Sequence, residues 1–372
     1  MIDDDGLFRM SWLFLGPAVH VASRLLLGSI PLFAAWLLGI VRAGTILGGY
    51  AALLVIVFAR LVRDVLAMMD PQKYVVAATG KMGQETRPWW DATLHVLLFQ
   101  WQILGTESRA FCGLLDAMNR GFDSWDVPFI DQGKDPKEEV VSYCKAYGVA
   151  LPVKGIWVWS KLPSEYETMN DFFTRKYKTL GIGNSLIVSP ATAVVTVFDA
   201  VASMPKRLKN EKFGIAQCGI PDHELYESFP CLIHYLSPAD YHCFHAPISG
   251  RILTLATFLD GPWSVTVKPY VFKYINILKR NRRVVLIIEN EEKLRVAMVI
   301  IGGITVDSIR IDEGRIKEGA RVEKGQLVGA FARGGSSIAT FFNQPVALTR
   351  DLASIGHRFK LDVNDNLMTL IK

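Results

Sequence analysis

Cysteine is sparse and unpatterned in this chain of 372 residues: Cys112, Cys144, Cys218, Cys231 and Cys243 are odd in number, irregularly spaced and without a CxxC pair. That excludes a disulfide framework or a zinc ribbon and leaves free buried thiols as the ordinary reading. Charge is scarce too. Only 21% of the residues are Asp, Glu, Lys or Arg, and 41 basic against 36 acidic residues leave a net charge of +5, too small to drive nucleic-acid binding by electrostatics. There is no repeat of fixed period and no low-complexity tract. Apolar residues are what the chain has in excess. Half of it is hydrophobic and mean hydropathy is +0.23, which argues against a disordered polymer and places part of the excess in lipid.

That excess is concentrated near the N-terminus. Leu25 to Val41 is a run of 17 uncharged residues; Arg42 follows, then 17 more from Ala43 to Ala59, closed by Arg60, Arg63 and Asp64. A spanning helix needs about 20 apolar residues, and a lone Arg at the centre of one long helix costs at least about 2.5 kcal/mol. Arg42 therefore suits a turn, giving a two-helix hairpin or one span plus a re-entrant helix; a buried helical pair of a soluble domain is the alternative. Asp3, Asp4 and Asp5 upstream argue against a removable signal peptide, and with only Arg9 and Arg24 beside them they make a poor mitochondrial presequence. Basic residues at both ends leave the orientation open.

Residues 71–164 read as a helical or mixed linker. Trp89, Trp90, Trp101, Trp125, Trp157 and Trp159 are scattered through it, suited either to a headgroup layer or to ordinary packing. A polar loop, DQGKDPKEE, opens a helix from Glu138 to Tyr147 that Gly148 ends. Beyond Leu180 the pattern changes to short β-branched runs, among them AVVTVFDAV (193–201), RRVVLIIEN (282–290), RVAMVIIGG (295–303), ITVDSIRI (304–311), QLVGAFA (326–332) and SSIATFF (336–342). Such runs predict an antiparallel or mixed β core. The expected fold class is α+β: a membrane-associated helical region over 1–70, the linker, and a β-rich domain over 165–372.

Two segments of that domain could carry chemistry. In YLSPADYHCFHAPISG (235–250), His242 and His245 lie three apart, and Pro238 with the lead-in SPAD favours a turn or helical entry that would face both imidazoles to one site. No third ligand at a suitable spacing supports a metal. In GAFARGGSSIATFF (329–342), Gly334 and Gly335 permit close approach of the Ser336 hydroxyl to the Gly335 carbonyl, while a plain hairpin or bulge accounts for the same residues. Spacing alone does not decide between them.

Taken together, these segments resemble the phosphatidylserine decarboxylase family of pyruvoyl-dependent lipid enzymes. The likeness is carried by MNDFFTRKYK (169–178), SPATAVV (189–195), LSPADYHCFHAP (236–247), VIIGGITVDSI (299–309) and GRIKEGARVEKGQLVGAFARGGSSIATFF (314–342), and covers about residues 165–350. The resemblance implies a self-maturing enzyme cut between Gly335 and Ser336 into a β chain and a 37-residue α chain, with Ser336 becoming an N-terminal pyruvoyl group. It further implies that phosphatidylserine in a membrane forms a Schiff base with that group, loses carbon dioxide and leaves as phosphatidylethanolamine. His245 matches the self-cleavage base and His242 the decarboxylation acid or base; no metal and no external organic cofactor is implied, and homodimers are common in the family. The host membrane stays open between mitochondrial inner membrane, endomembrane and bacterial inner membrane. Lys206, Arg207, Lys209, Lys212, Lys279, Arg280, Arg282 and Arg283 are candidates to meet anionic headgroups, or else ordinary solvated charges.

One departure bears on activity. The family's SPxDG-type motif supplies the acid of an Asp-His-Ser triad, but here Thr192 holds the aspartate's position and Ala193 the glycine's. Threonine can hydrogen-bond an imidazole but cannot stabilise an imidazolium by charge. Asp199 is too far along a strand, roughly 23 Å when extended, and Asp240 belongs to the histidine block. Two readings follow: an active decarboxylase, motivated by Ser336 and both histidines, or an unprocessed relative that keeps a lipid-binding β domain, motivated by Thr192 and Ala193.

Overall fold

The computed structural model describes residues 73–85, 123–149, 159–201, 215–258, 277–303, 309–332 and 336–371, with scattered positions besides. The chain divides into two compact units, Met1–Asp70 with Arg87–Arg120, and Pro71–Thr86 with Gly121–Lys372. In the first unit the described positions between 49 and 59 are helical, and Leu53, Val55, Ile56 and Phe58 are exposed there. The rest of the apolar segment from Leu25 to Ala59 lies outside the described residues. Among the described residues, no helix is long and apolar enough to cross a membrane.

The second unit is built on β structure. Its strands are β1 (Lys73–Val76), β2 (Met82–Gln84), β3 (Ile187–Val188), β4 (Ala193–Phe198), β5 (Cys231–Leu236), β6 (Cys243–His245), β7 (Gly250–Phe258) and β8 (Arg283–Glu289). There follow β9 (Arg295–Gly302), β10 (Ile309–Ile311), β11 (Arg321–Val322), β12 (Leu327–Phe331), β13 (Ser336–Phe342), β14 (Val346–Leu348), β15 (Arg358–Leu361) and β16 (Asn366–Leu370). Ten of them form one sheet in the order β11-β7-β8-β9-β13-β5-β4-β15-β1-β2; β10-β12-β6 and β14-β16-β3 form two smaller sheets. The strands β5, β9 and β13 at the centre are almost wholly buried, so both of their faces are apolar and the sequence reads as continuous runs rather than alternation. The edgeward β7 alternates over its first residues, with Arg251 exposed between buried Gly250 and Ile252.

A small helical layer belongs to the same unit. Helix α1 (Pro136–Tyr147) opens two residues before the expected Glu138, because Asp135 caps it by accepting from Lys137 N at 2.8 Å and Pro136 suits the first turn; Gly148, at φ 70°, ends it. Helix α2 (Met169–Phe173) is capped by Thr168, whose hydroxyl accepts from Asp171 N at 2.9 Å. Phe129, Val140, Cys144, Trp159, Tyr166, Met169 and Phe172 pack between them. Trp159 is therefore a core residue rather than a headgroup-layer one, while Trp89, Trp90, Trp101 and Trp157 lie outside the described residues.

The turn-or-helix expectation for the histidine segment needs correction. A turn does form, closed by Asp240 N on Ser237 O at 2.9 Å, but residues 243–245 then pair as β6 with β12. Apolar Cys243 and Phe244 are better buried by that pairing than by a helical turn. His242 thus precedes the strand and His245 ends it, and they do not share a helix face.

Candidate active site

Ser336 opens β13 with backbone partners on both sides, opposite Leu236 of β5 and Gly302 of β9. It is fully buried, and its hydroxyl, like that of Ser337, has no hydrogen-bond partner among the described residues. Gly334 and Gly335 lie outside the described residues. From Leu236 the chain passes through the turn at 237–240 to His242, whose carbonyl accepts from Phe331 N at 2.9 Å. The histidine loop is therefore tied to β13 at its start and to the end of β12 at its finish, and the segment joining those two strands contains the expected cut.

Each imidazole has a defined tautomer. His242 Nδ1 lies 2.9 Å from the Asp240 carbonyl, which can only accept, so Nδ1 carries the hydrogen and Nε2 is bare; Nε2 has no partner among the described residues. The Phe173 ring lies over the imidazole, with centroids 3.9 Å apart. Burial above all, with the Arg175 cation adding to it, lowers the His242 pKa from 6.5 to about 3. His245 follows the same logic: Nδ1 donates to the Gly325 carbonyl at 2.8 Å, leaving Nε2 to accept from the Tyr241 hydroxyl at 3.1 Å. Burial lowers the pKa of this ring as well, against the opposing pull of the Gly325 bond. Tyr177 stacks on Tyr241 at 4.4 Å.

The block around Thr192 lies beside this histidine, since His245 N donates to Pro190 O at 2.8 Å. The Thr192 hydroxyl is buried and accepts from Val363 N at 3.1 Å, so it holds the C-terminal segment. The Gly325 carbonyl, not an acid, orients His245. Neither alternative acid is at hand: Asp199 is exposed just past the end of β4, and Asp240 is committed elsewhere. One Asp240 carboxylate oxygen accepts from Ser237 N at 2.8 Å and from the Ser237 hydroxyl at 2.9 Å, while the other is paired with Lys360.

Several residues to which the sequence assigns no individual role shape this site. Arg175 and Phe173 come from FFTRK, Tyr241 from DYHCFH and Gly325 from the KGQ run; each sits inside a motif whose letters do not reveal its partner. Lys360 carries no signal. Gly325 stands at φ 80°, and a Cβ there would lie 2.8 Å from Ile182, so both the turn and the direction of its carbonyl depend on glycine. Among the candidate headgroup cations, Arg283 is removed by burial: its guanidinium donates to the carbonyls of Cys218 and Lys279 and lies over Phe258. Lys206, Arg207, Lys209 and Lys212 lie outside the described residues.

Comparison with known proteins identifies the family. The sequence profile of the phosphatidylserine decarboxylase family matches residues 169–364, more than half of the chain. "Phosphatidylserine decarboxylase proenzyme 2" of Oryza sativa subsp. japonica is 33% identical over 193 residues, 48% of this chain and 30% of the relative. The "phosphatidylserine decarboxylase proenzyme" of Chlamydia trachomatis serovar L2 is 31% identical over 202 residues, 52% of this chain and 65% of the relative. A protein of the same name from Fusobacterium nucleatum is 30% identical over 197 residues, 50% of this chain and 64% of the relative. The chain thus spans less than two thirds of the length of these relatives, and the matched region holds Thr192, His242, His245 and Ser336.

Proposed function

The chain belongs to the phosphatidylserine decarboxylase family, and on that premise we propose that it is a self-processing enzyme converting phosphatidylserine to phosphatidylethanolamine and carbon dioxide. The observation that carries this reading is the Ser336 hydroxyl, buried without a partner at the head of a fully paired strand. A buried hydroxyl left unsatisfied costs about 1–3 kcal/mol; Ser337 shares this state, but Ser336 alone directly follows the Gly334–Gly335 pair at the expected cut. A group consumed in maturation accounts for it.

The self-cleavage is written from this chain's own atoms. Ser336 Oγ bonds to the Gly335 carbonyl carbon as the Gly335–Ser336 C–N bond breaks, and the amine is freed as an ester forms. Loss of the Ser336 α-proton then expels the Gly335 carboxylate; water hydrolyses the resulting dehydroalanine to a ketone, releasing ammonia. His245 Nε2, the bare nitrogen of an imidazole oriented by Gly325, is the base for the first proton once Tyr241 releases it. Orientation is retained without an acid at position 192, but the charge that would steady an imidazolium is missing. Maturation is slow rather than blocked.

The site also fits the pyruvoyl group that this cut would leave at position 336: the hydroxyl it replaces takes part in no hydrogen bond, and the backbone on both sides is already held. Such a carbonyl supplies an electron sink for the loss of carbon dioxide. His242, kept neutral with Nε2 bare, would have to take up a proton at Nε2 before it could return one to the decarboxylated carbon. The exposed Leu53, Val55, Ile56 and Phe58 support the further proposal that the chain is anchored in the bilayer that holds its substrate.

The test uses the purified full chain. On a denaturing gel it should separate into a large fragment and a C-terminal one of a tenth of its length, the latter blocked to Edman sequencing. It should release labelled carbon dioxide from carboxyl-labelled phosphatidylserine in vesicles. A single uncut species that releases none would sink the proposal.

A further inference from the structure

Three consecutive carbonyls lead into His242, and the helical layer holds every one of them. The Tyr143 hydroxyl of α1 donates to Pro238 O at 3.0 Å; Arg175, just beyond α2, donates from Nη2 to Ala239 O at 2.9 Å and to Asp240 O at 3.0 Å. The Asp240 carbonyl is the same atom that accepts from His242 Nδ1. We propose that Arg175 is the positioning residue of the decarboxylation site: it fixes the Asp240 carbonyl so that His242 is held as one tautomer, with a bare Nε2, and it sets an uncompensated cation beside that buried ring. The inference rests on the decarboxylase reading for its kinetic consequence, not for its geometry.

The chemistry of the clamp explains why it is an arginine. Only 2% of Arg175 is exposed, and no described carboxylate forms an ion pair with it. Its guanidinium lies over the rings of Trp159 at 5.4 Å and Phe172 at 5.1 Å, so aromatic faces and loop carbonyls stand in for a counter-ion. A neutral donor could hold the same carbonyls without the cost of burying a charge. The charge is useful only if something nearby has to stay uncharged. The charged groups facing His242 are Arg175 from beside α2, Lys360 from β15 and the Asp240 carboxylate on its own loop; the Phe173 ring and β12 bring no charge. Lys360 is neutralised by Asp240, so the uncompensated cation is Arg175. Protonating His242 beside it would set two cations together in a buried site. The burial of His242 works in the same direction.

The experiment compares wild type, Arg175→Gln and Arg175→Lys by the ¹⁵N shifts of the His242 ring and by steady-state decarboxylation, normalised to the processed fraction. Wild type should show a protonated Nδ1 and a bare Nε2 from about pH 8 down to about pH 5, below the ordinary histidine value. Arg175→Lys keeps the charge but loses the planar guanidinium held over Trp159 and Phe172 that aims Nη2 at both carbonyls, so the ring should stay neutral while kcat falls about 10- to 100-fold, with KM unchanged. Arg175→Gln loses the charge as well: ring protonation and the acid limb of kcat should both move to higher pH. If the Gln variant keeps the wild-type ring shifts, acid limb and kcat, the proposal is overturned. A kcat loss in the Gln variant with the acid limb in place would reduce Arg175 to scaffolding and equally overturns it. Should the Gln variant fail to fold, Tyr143→Phe removes one carbonyl bond without a charge; an unchanged kcat there and in Arg175→Lys also overturns the proposal. The ring shifts do not depend on turnover, so a wild type that releases no carbon dioxide refutes the decarboxylase reading while the tautomer remains measurable.

Discussion

Replacing Lys360 by methionine isolates what holds the turn in front of His242. The Asp240 carboxylate is 97% buried; Ser237 supplies two hydrogen bonds to one oxygen, and the Lys360 ammonium is the only cation paired with the other among the described residues. Burial opposes the lysine's charge, but the Asp240 carboxylate outweighs it and holds the lysine pKa above its ordinary value. Removing one member of a buried pair costs about 3–5 kcal/mol, because the other charge stays behind. Lys360 is 21% exposed, so water partly replaces the ammonium and the expected cost lies near the lower figure. At about 2–4 °C per kcal/mol for a domain of this size, Tm should fall by about 6–12 °C. Adding Asp240→Asn removes the stranded charge while keeping a side chain that Ser237 can bond, so the double variant should recover more than half of the loss. Urea unfolding of the full chain, followed by tryptophan fluorescence with the slope held constant, measures both steps. A loss below about 1 kcal/mol for Lys360→Met, the range of an exposed pair, would refute the reasoning; so would a double variant no more stable than the single one.

Thr192→Asp restores the charge missing beside His245. Since Gly325 already fixes the tautomer, cleavage should speed up by less than the ~10⁴ that loss of the orienting aspartate costs in a serine protease triad; a gel time course with no acceleration shows that the acid does not limit maturation. After the cut, residues 336–372 should co-elute with the rest on native gel filtration and separate only in denaturant; early loss of the fragment would contradict the sheet order. His234 and His242 are buried, and burial is the first cause lowering both pKa values from 6.5 to about 3. The unfolded chain therefore binds protons below pH 6.5 that the folded chain refuses, and stability should fall as pH drops from 6.5 towards 3, by about 1.4 kcal/mol per pH unit for each histidine. Urea midpoints taken between these limits measure the slope; His234→Gln should remove about one such increment, and an unchanged slope would show that this ring is not the source.

The β core was legible because burial on both faces of β5, β9 and β13 leaves long apolar runs with little else to become. The chemistry-bearing side chains were legible as letters: Ser336 after two glycines, and two histidines in a short polar-to-apolar passage. Their partners were not. Gly325, which orients His245, acts through a carbonyl, and every residue has one. Lys360 lies 120 residues from the aspartate it neutralises and is brought there by the pairing of β15 with β4. The strands β1, β2, β6, β11 and β14 to β16 are two to five residues long, too short for a period to show. β6 was the consequential miss, because reading it as a helical turn placed both histidines on one face and so misjudged how each ring is held.

The place of Ser336 in the sheet bears on how an internal cut could leave a working site. In β13, residues 336–342 are paired with β9 along their whole length and with β5 from Ser336 to Phe341. Breaking the bond before Ser336 removes none of these pairs. The C-terminal piece is also interleaved with the larger one elsewhere, β15 between β4 and β1, and β16 against β3. Ile338, Ala339, Phe341 and Phe342 are fully buried, so withdrawal would expose a central layer of the core. Such a cut would therefore free a chain end without freeing a chain. Because Leu236 pairs with Ser336 and leads directly into the clamped turn before His242, the new end would stay in register with the histidine loop. Burial at that end would keep bulk water from a group formed there, and burial likewise holds His242 neutral.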